Sequence, residues 1–119
     1  KRMVFNIVGR NQDDHVKNIS FLLDSMTGEW RLAPAYDLTF AAGSGYTARH
    51  QMTLGGKSGD FTRALLLETG EKFSIKHPGA VIDEVIQAFA GWEALTAQHG
   101  VPRKQVSEVG KRLRLELRA

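Results

Sequence analysis

The chain has 119 residues, 42% of them hydrophobic and 24% charged, a composition that suits one globular domain and excludes both a disordered chain and a second domain. It has no cysteine, which excludes a disulfide scaffold, a thiolate zinc site and a cysteine nucleophile. No apolar run approaches the roughly 18 residues of a membrane span and no apolar leader opens the chain, so the expectation is a soluble, cytoplasmic protein with no membrane role.

The net charge of +3 is local. Residues 102–119 hold six basic side chains (Arg103, Lys104, Lys111, Arg112, Arg114, Arg118) and two acidic ones, a net of +4, which leaves residues 1–101 at −1. The simplest reading of this segment is the solvated face of a terminal helix, and the sharper one is a surface for nucleic acid or an acidic partner. The chain opens Lys-Arg-Met, without an initiator methionine, and reads as a piece of something longer.

In chain order, Val4, Ile7 and Val8 fall at helical spacing, so residues 1–9 read as the end of a helix stopped by Gly9. A polar cluster follows from Arg10 to Asn18. Ile19 to Leu23 and Trp30 to Leu32 flank a Gly-containing turn and predict a small hairpin. Residues 37–60 carry five glycines and little periodicity, which predicts a long loop of functional kind. Asp60 or Thr62 can cap a short helix holding Leu65, Leu66 and Leu67, closed by Gly70. Val85, Ala88, Phe89, Trp92 and Leu95 then recur at helical spacing up to Gly100, with Phe89 and Trp92 as core. Pro102 suits the first residue of a last helix, with Val106, Val109, Leu113 and Leu117 on one stripe.

The chemistry concentrates in Asn11-Gln-Asp13-Asp14-His15-Val16-Lys17-Asn18 and, beyond the hairpin, in Leu32-Ala-Pro-Ala-Tyr36-Asp37-Leu38. So many polar groups cannot be buried without partners, because each unpaired one costs several kcal/mol. They face solvent or a ligand. A hairpin returns the chain to its starting point, so Asp37 is expected near Asp13 and Asn18, and three oxygen-bearing side chains of this kind suit Mg2+. An Asp, an Asn five residues on and a second Asp about twenty residues later is also the order of protein-kinase-like catalytic lobes. Asp-Asp-His stands here where His-Arg-Asp is usual, and Ala35-Tyr36-Asp37 where Asp-Phe-Gly is usual.

Those two segments closely resemble the HipA family, serine/threonine kinase toxins of bacterial toxin–antitoxin pairs. His50-Gln-Met-Thr-Leu, Gly56-Lys57, Asp60-Phe-Thr and the Trp92 helix are similar to the family's C-terminal lobe more weakly. The resemblance implies a mainly α fold over residues 1–119, a protein-kinase-like C-terminal lobe with a small β-hairpin at the catalytic cleft. It implies Asp13 as catalytic base, Asn18 and Asp37 as Mg2+ ligands, and His15, Val16, Lys17, Asn18, Tyr36 and Asp37 around ATP. It further implies an aminoacyl-tRNA synthetase as protein substrate, growth arrest as the outcome, and a HipB-like DNA-binding antitoxin as partner, with DNA reached through the antitoxin. The Gly-rich phosphate loop and the strand lysine of a kinase are not in this sequence, so the chain by itself is expected to be inactive.

Plainer readings stand beside these. Asp13, Asn18 and Asp37 can act as turn and cap residues. His15 either orients the loop through a backbone carbonyl or touches nucleotide, Asp14 is a solvated or structural neighbour of Asp13, Lys17 can pair with an acid, and Trp30 is expected to pack on the catalytic loop. Gly55-Gly-Lys57-Ser58 lacks the earlier glycine of a phosphate loop, and His50, His77 and His99 are too scattered for a histidine metal site. The alternatives to a kinase are a non-catalytic partner-binding or regulatory remnant of the same fold, and a metal-dependent phosphohydrolase using Asp13, Asp14, His15 and Asp37.

Overall fold

A computed structural model describes residues 1–119. The chain is mainly helical: α1 (Arg2–Val8), a hairpin of β1 (Phe21–Leu23) and β2 (Trp30–Leu32), then α2 (Arg63–Lys72), α3 (Pro78–Ala90), α4 (Trp92–Gln98) and α5 (Arg103–Gly110). Single 3-10 turns lie at Val16–Asn18, Gly45–Ala48 and Leu115–Arg118.

The core forms where α3 meets α1, α2 and the terminal turn. Val4, Ile7 and Val8 of α1 face Ile82, Val85 and Ile86 of α3, and Leu66, Leu54, Phe61 and Leu117 close the cluster. Burying each of these apolar side chains contributes about 1.5–3 kcal/mol. Phe5 and Phe89 stack at 4.8 Å beside it, and a Cβ on Gly9 would stand 2.4 Å from the Phe89 ring, so only glycine lets the end of α1 approach α3 this closely.

The hairpin is antiparallel, with Phe21 opposite Leu32 and Leu23 opposite Trp30. Its turn is organised by Asp24, whose carboxylate accepts the N–H groups of Met26 and Thr27, and by Gly28 at φ 72°. All six strand residues are exposed, Trp30 among them at 67%, so Trp30 does not pack on the loop of residues 11–18 as expected.

Several boundaries differ from the sequence-based expectation, each for a packing reason. Thr62 caps α2, accepting from the Leu65 N–H at 3.2 Å, but Gly70 lies inside that helix rather than closing it. A Cβ at Gly70 would sit 2.5 Å from the Pro78 ring, so glycine is there for the approach of α3. The expected helix from Gly79 to Gly100 breaks at Gly91, and Trp92 turns toward α5, donating its indole N–H to the Val106 carbonyl at 3.0 Å. Leu95, expected on the buried stripe, is 53% exposed. Pro102 stands just before α5, and α5 ends at Gly110, so Leu113 and Leu117 reach the core from the following turns rather than from a continuous helical stripe. The long loop is pinned by a parallel bridge between Asn11 and Ala41 and by a tight turn pairing Leu54 with Lys57 over Gly55 and Gly56 at positive φ. That turn accounts for the Gly-Gly-Lys sequence without a phosphate.

No helix is long and apolar enough to cross a membrane.

Candidate active site

Arg10 at φ 53° turns the chain out of α1, and the next residues run extended against Ala41, with Gln12 N–H donating to the Ala41 carbonyl at 2.9 Å. Extended backbone sends successive side chains to opposite sides. Asp13 accordingly keeps 30% of its side chain exposed while Asp14 turns inward with 10%. The 3-10 turn at Val16–Asn18 then brings Asn18 back over the segment, its amide N–H donating to the Asp13 carbonyl at 3.2 Å.

The hairpin delivers Asp37 to the same place. Asn18 Nδ2 donates to Asp37 Oδ2 at 2.9 Å, and Asn11 Nδ2 donates to the Asp37 carbonyl at 2.9 Å. Asp37 sits at φ 53°, a left-handed conformation that Asp tolerates better than most residues. Tyr36 donates its hydroxyl to the Lys17 carbonyl at 2.8 Å, tying the far side of the hairpin to the loop. Asp13, Asn18 and Asp37 are thus one neighbourhood. Val16 and Lys17 are exposed beside it, and Lys17 forms no ion pair.

His15 does not orient the loop through a backbone carbonyl. Its Nε2 stands 3.8 Å from Asp13 Oδ1, and its Nδ1 is buried without a hydrogen-bond partner, a state shared only by Arg2 Nη1 and Asn11 Oδ1. All three residues line one recess with Asn18, Tyr36 and Asp37. Buried polar atoms are almost always paired, so their concentration here marks a place suited to a polar ligand.

The donor set also fits Mg2+, which takes one or two carboxylates and completes its shell with water and phosphate oxygens. Asn18 spends its amide N–H groups on the Asp13 carbonyl and the Asp37 carboxylate, and its carbonyl oxygen accepts from no protein donor. No group of three or more His, Cys, Asp or Glu gathers anywhere in the chain, so the protein offers a partial shell and not a closed cage.

Asp14 lines the inner side of the same recess, but its carboxylate is engaged on the buried side. Its Oδ2 lies 2.9 Å from His50 Nδ1 and its Oδ1 accepts the Gln51 N–H at 2.8 Å. Burial alone raises this carboxyl, but the His50 ring and the Gln51 and Met52 amides outweigh burial and hold it below its ordinary value of 3.8. His50 Nε2 in turn lies 3.0 Å from Arg114 Nη1. Arg114, expected among the solvated basic residues of the tail, is buried, and burial with Arg10 nearby lowers its guanidinium to about 10. Arg103, Lys104, Lys111, Arg112 and Arg118 do remain exposed. Sequence patterns assign no buried role to His50, Arg114 or Gln12; a lone His in a glycine-rich loop and an Arg in a basic tail carry no local signal of burial.

Among comparisons with known proteins, no curated protein and no solved structure matches. The family described as HipA-like C-terminal domain matches residues 1–112. That match takes in every element that builds the recess, from α1 through the loop and hairpin to α5, and the chain therefore belongs to the HipA-like family.

Proposed function

We propose that this chain is the catalytic, kinase-like C-terminal lobe of an ATP-dependent serine/threonine protein kinase of a bacterial toxin–antitoxin pair. The observation that carries this reading is the pairing of Asn18 with Asp37 at 2.9 Å beside Asp13, in a chain of the HipA-like family. Asp13, half-buried and held through its own carbonyl by Asn18, is the base that takes the proton of the attacking hydroxyl. The hydroxyl oxygen bonds to the γ-phosphorus of ATP as the bond to the β,γ-bridging oxygen breaks, releasing ADP. Asn18 and Asp37 would hold Mg2+, which supplies charge neutralisation on the phosphates when bound. Lys17 adds positive charge where the phosphoryl group moves, and His15, Val16 and Tyr36 border the nucleotide.

Family membership supports the remaining assignments: a HipB-like antitoxin as partner, DNA reached through it, and an aminoacyl-tRNA synthetase as substrate. The 119 residues hold no Gly-rich loop or strand lysine of the kinase kind, so this chain on its own is expected to transfer no appreciable phosphate. A phosphohydrolase centred on Asp13, Asp14, His15 and Asp37 loses Asp14, which is spent on His50.

The test is phosphotransfer from Mg·ATP by the intact protein and by its Asp13→Ala variant, with ATP binding measured in both. Loss of transfer with retained binding is expected. Transfer unchanged by Asp13→Ala removes the base assignment, and an intact protein that binds its partner without binding Mg·ATP favours the non-catalytic remnant.

A further inference from the structure

Behind the recess lies a buried line of three titratable side chains that phosphoryl transfer does not use. It begins at Asp14, next to the proposed base, and ends at Arg114, two residues beyond the segment matched by the family. Its polarity is determined by its ends. Arg114 carries only donors, so His50 Nε2, 3.0 Å from Arg114 Nη1, accepts; the ring proton is then on Nδ1, which donates to Asp14 Oδ2 at 2.9 Å. The ring thus donates to the Asp14 carboxylate on one side and accepts from the Arg114 guanidinium on the other. Phe61 shields it, edge-on to His50 at 5.2 Å and under the Arg114 guanidinium at 5.3 Å.

The line also ties three segments together. Arg114 Nη1 donates to the Ile7 carbonyl at 2.7 Å, its Nη2 to Gln12 Oε1 at 3.3 Å and its backbone N–H to the Val8 carbonyl at 3.0 Å. One guanidinium thus holds the end of α1, the residue just before Asp13 and the 50–52 segment. Since Asp13 and Asp14 share a peptide bond, whatever sets Asp14 sets the backbone of Asp13.

We propose that Asp14, His50 and Arg114 are positioning residues that fix the catalytic loop from its buried side, a role that rests on the reading of Asp13 as base. Asp14→Asn tests it because an amide in place of the carboxylate can present N–H to His50. The ring proton then moves to Nε2 and confronts the Arg114 donors. In the intact protein, kcat is expected to fall about 10- to 100-fold with KM for ATP unchanged within about threefold, the scale of a small misplacement of a reacting group. Adding Arg114→Gln, which can turn an acceptor toward the new Nε2–H, is expected to restore part of kcat. Wild-type kcat in Asp14→Asn overturns the proposal, and so does a double variant that is merely the sum of two lesions.

Two further measurements on the 119-residue chain do not depend on turnover, and the first needs no variant. Nitrogen-15 NMR of wild-type His50 is expected to show a proton on Nδ1 and a bare Nε2 at neutral pH; a protonated Nε2 overturns the proposal. Failure of the kinase reading would show separately, as no Asp13-dependent transfer by the wild type. The exchange of the Asn18 amide, which donates to the His15 carbonyl at 3.1 Å, then decides: faster exchange in Asp14→Asn supports positioning and unchanged exchange overturns it.

Discussion

The recess lined by His15, Asn18 and Asp37, which Asp13 borders through His15 and Asn18, and the buried line at Asp14, His50 and Arg114 satisfy their polar groups in different ways. On the recess side, three buried polar atoms have no partner, and Asp37 is held in a left-handed backbone conformation. On the buried side, Asp14 accepts from a ring and two amides, and Arg114 donates to a ring, a carbonyl and an amide oxygen. Unspent hydrogen-bonding capacity is what a ligand needs, and spent capacity is what a scaffold needs. Asp13 and Asp14, adjacent and of the same chemistry, differ in exposure and in partners because the extended backbone turns their side chains in different directions.

The sharpest way to break this contrast is Asp37→Asn, which keeps a residue that tolerates the left-handed backbone at this position. It removes an exposed carboxylate from the recess, so phosphotransfer by the intact protein is expected to fall about 10³-fold while the melting temperature hardly moves. A large loss of stability would show that Asp37 is part of the scaffold after all. Arg114→Leu probes the other side. It leaves His50 Nε2, the Ile7 carbonyl and Gln12 Oε1 without their buried donor, and urea unfolding is expected to show a loss of about 3 kcal/mol.

Acid gives a smaller, signed effect. The Asp14 carboxyl lies below its unfolded value of 3.8 in the folded chain, so its stabilisation is complete above that value and is lost as pH falls through the lower folded one. Wild type is therefore expected to lose stability between pH 5 and pH 3 by more than Asp14→Asn does; equal losses in denaturant titrations at the two pH values would separate Asp14 from the buried line. The least effect belongs to Trp30→Ser on the exposed hairpin, expected to shift stability by no more than about 0.5 kcal/mol. A larger loss by thermal melting would mean that the hairpin contributes to the scaffold as well as delivering Asp37.

Much of the recess was legible in the sequence because its geometry is local. Asp13 and Asn18 are five residues apart across a single 3-10 turn, and an antiparallel hairpin with its own Asp24 and Gly28 turn needs nothing else to bring Asp37 back. The Thr62 cap and the Val4, Ile7 and Val8 stripe follow equally from short-range spacing. Glycine was the least legible residue. Gly70 and Gly91 carry the same letter, yet one continues a helix because Pro78 presses on it and the other interrupts one where Trp92 turns toward α5.

The sequence by itself determined the family, the mainly helical character and the grouping of Asp13, Asn18 and Asp37, since each depends on spacing that local backbone geometry preserves. Only the tertiary structure decided the fate of Asp14, His50 and Arg114. Their contacts join residues 36, 64 and 107 positions apart, and such separations are closed by packing of the α1, α3 and terminal-turn core rather than by any repeat in the chain. A basic residue in a basic tail and a histidine in a glycine-rich loop become a buried chain because the core brings them to the one carboxylate that the extended segment turns inward.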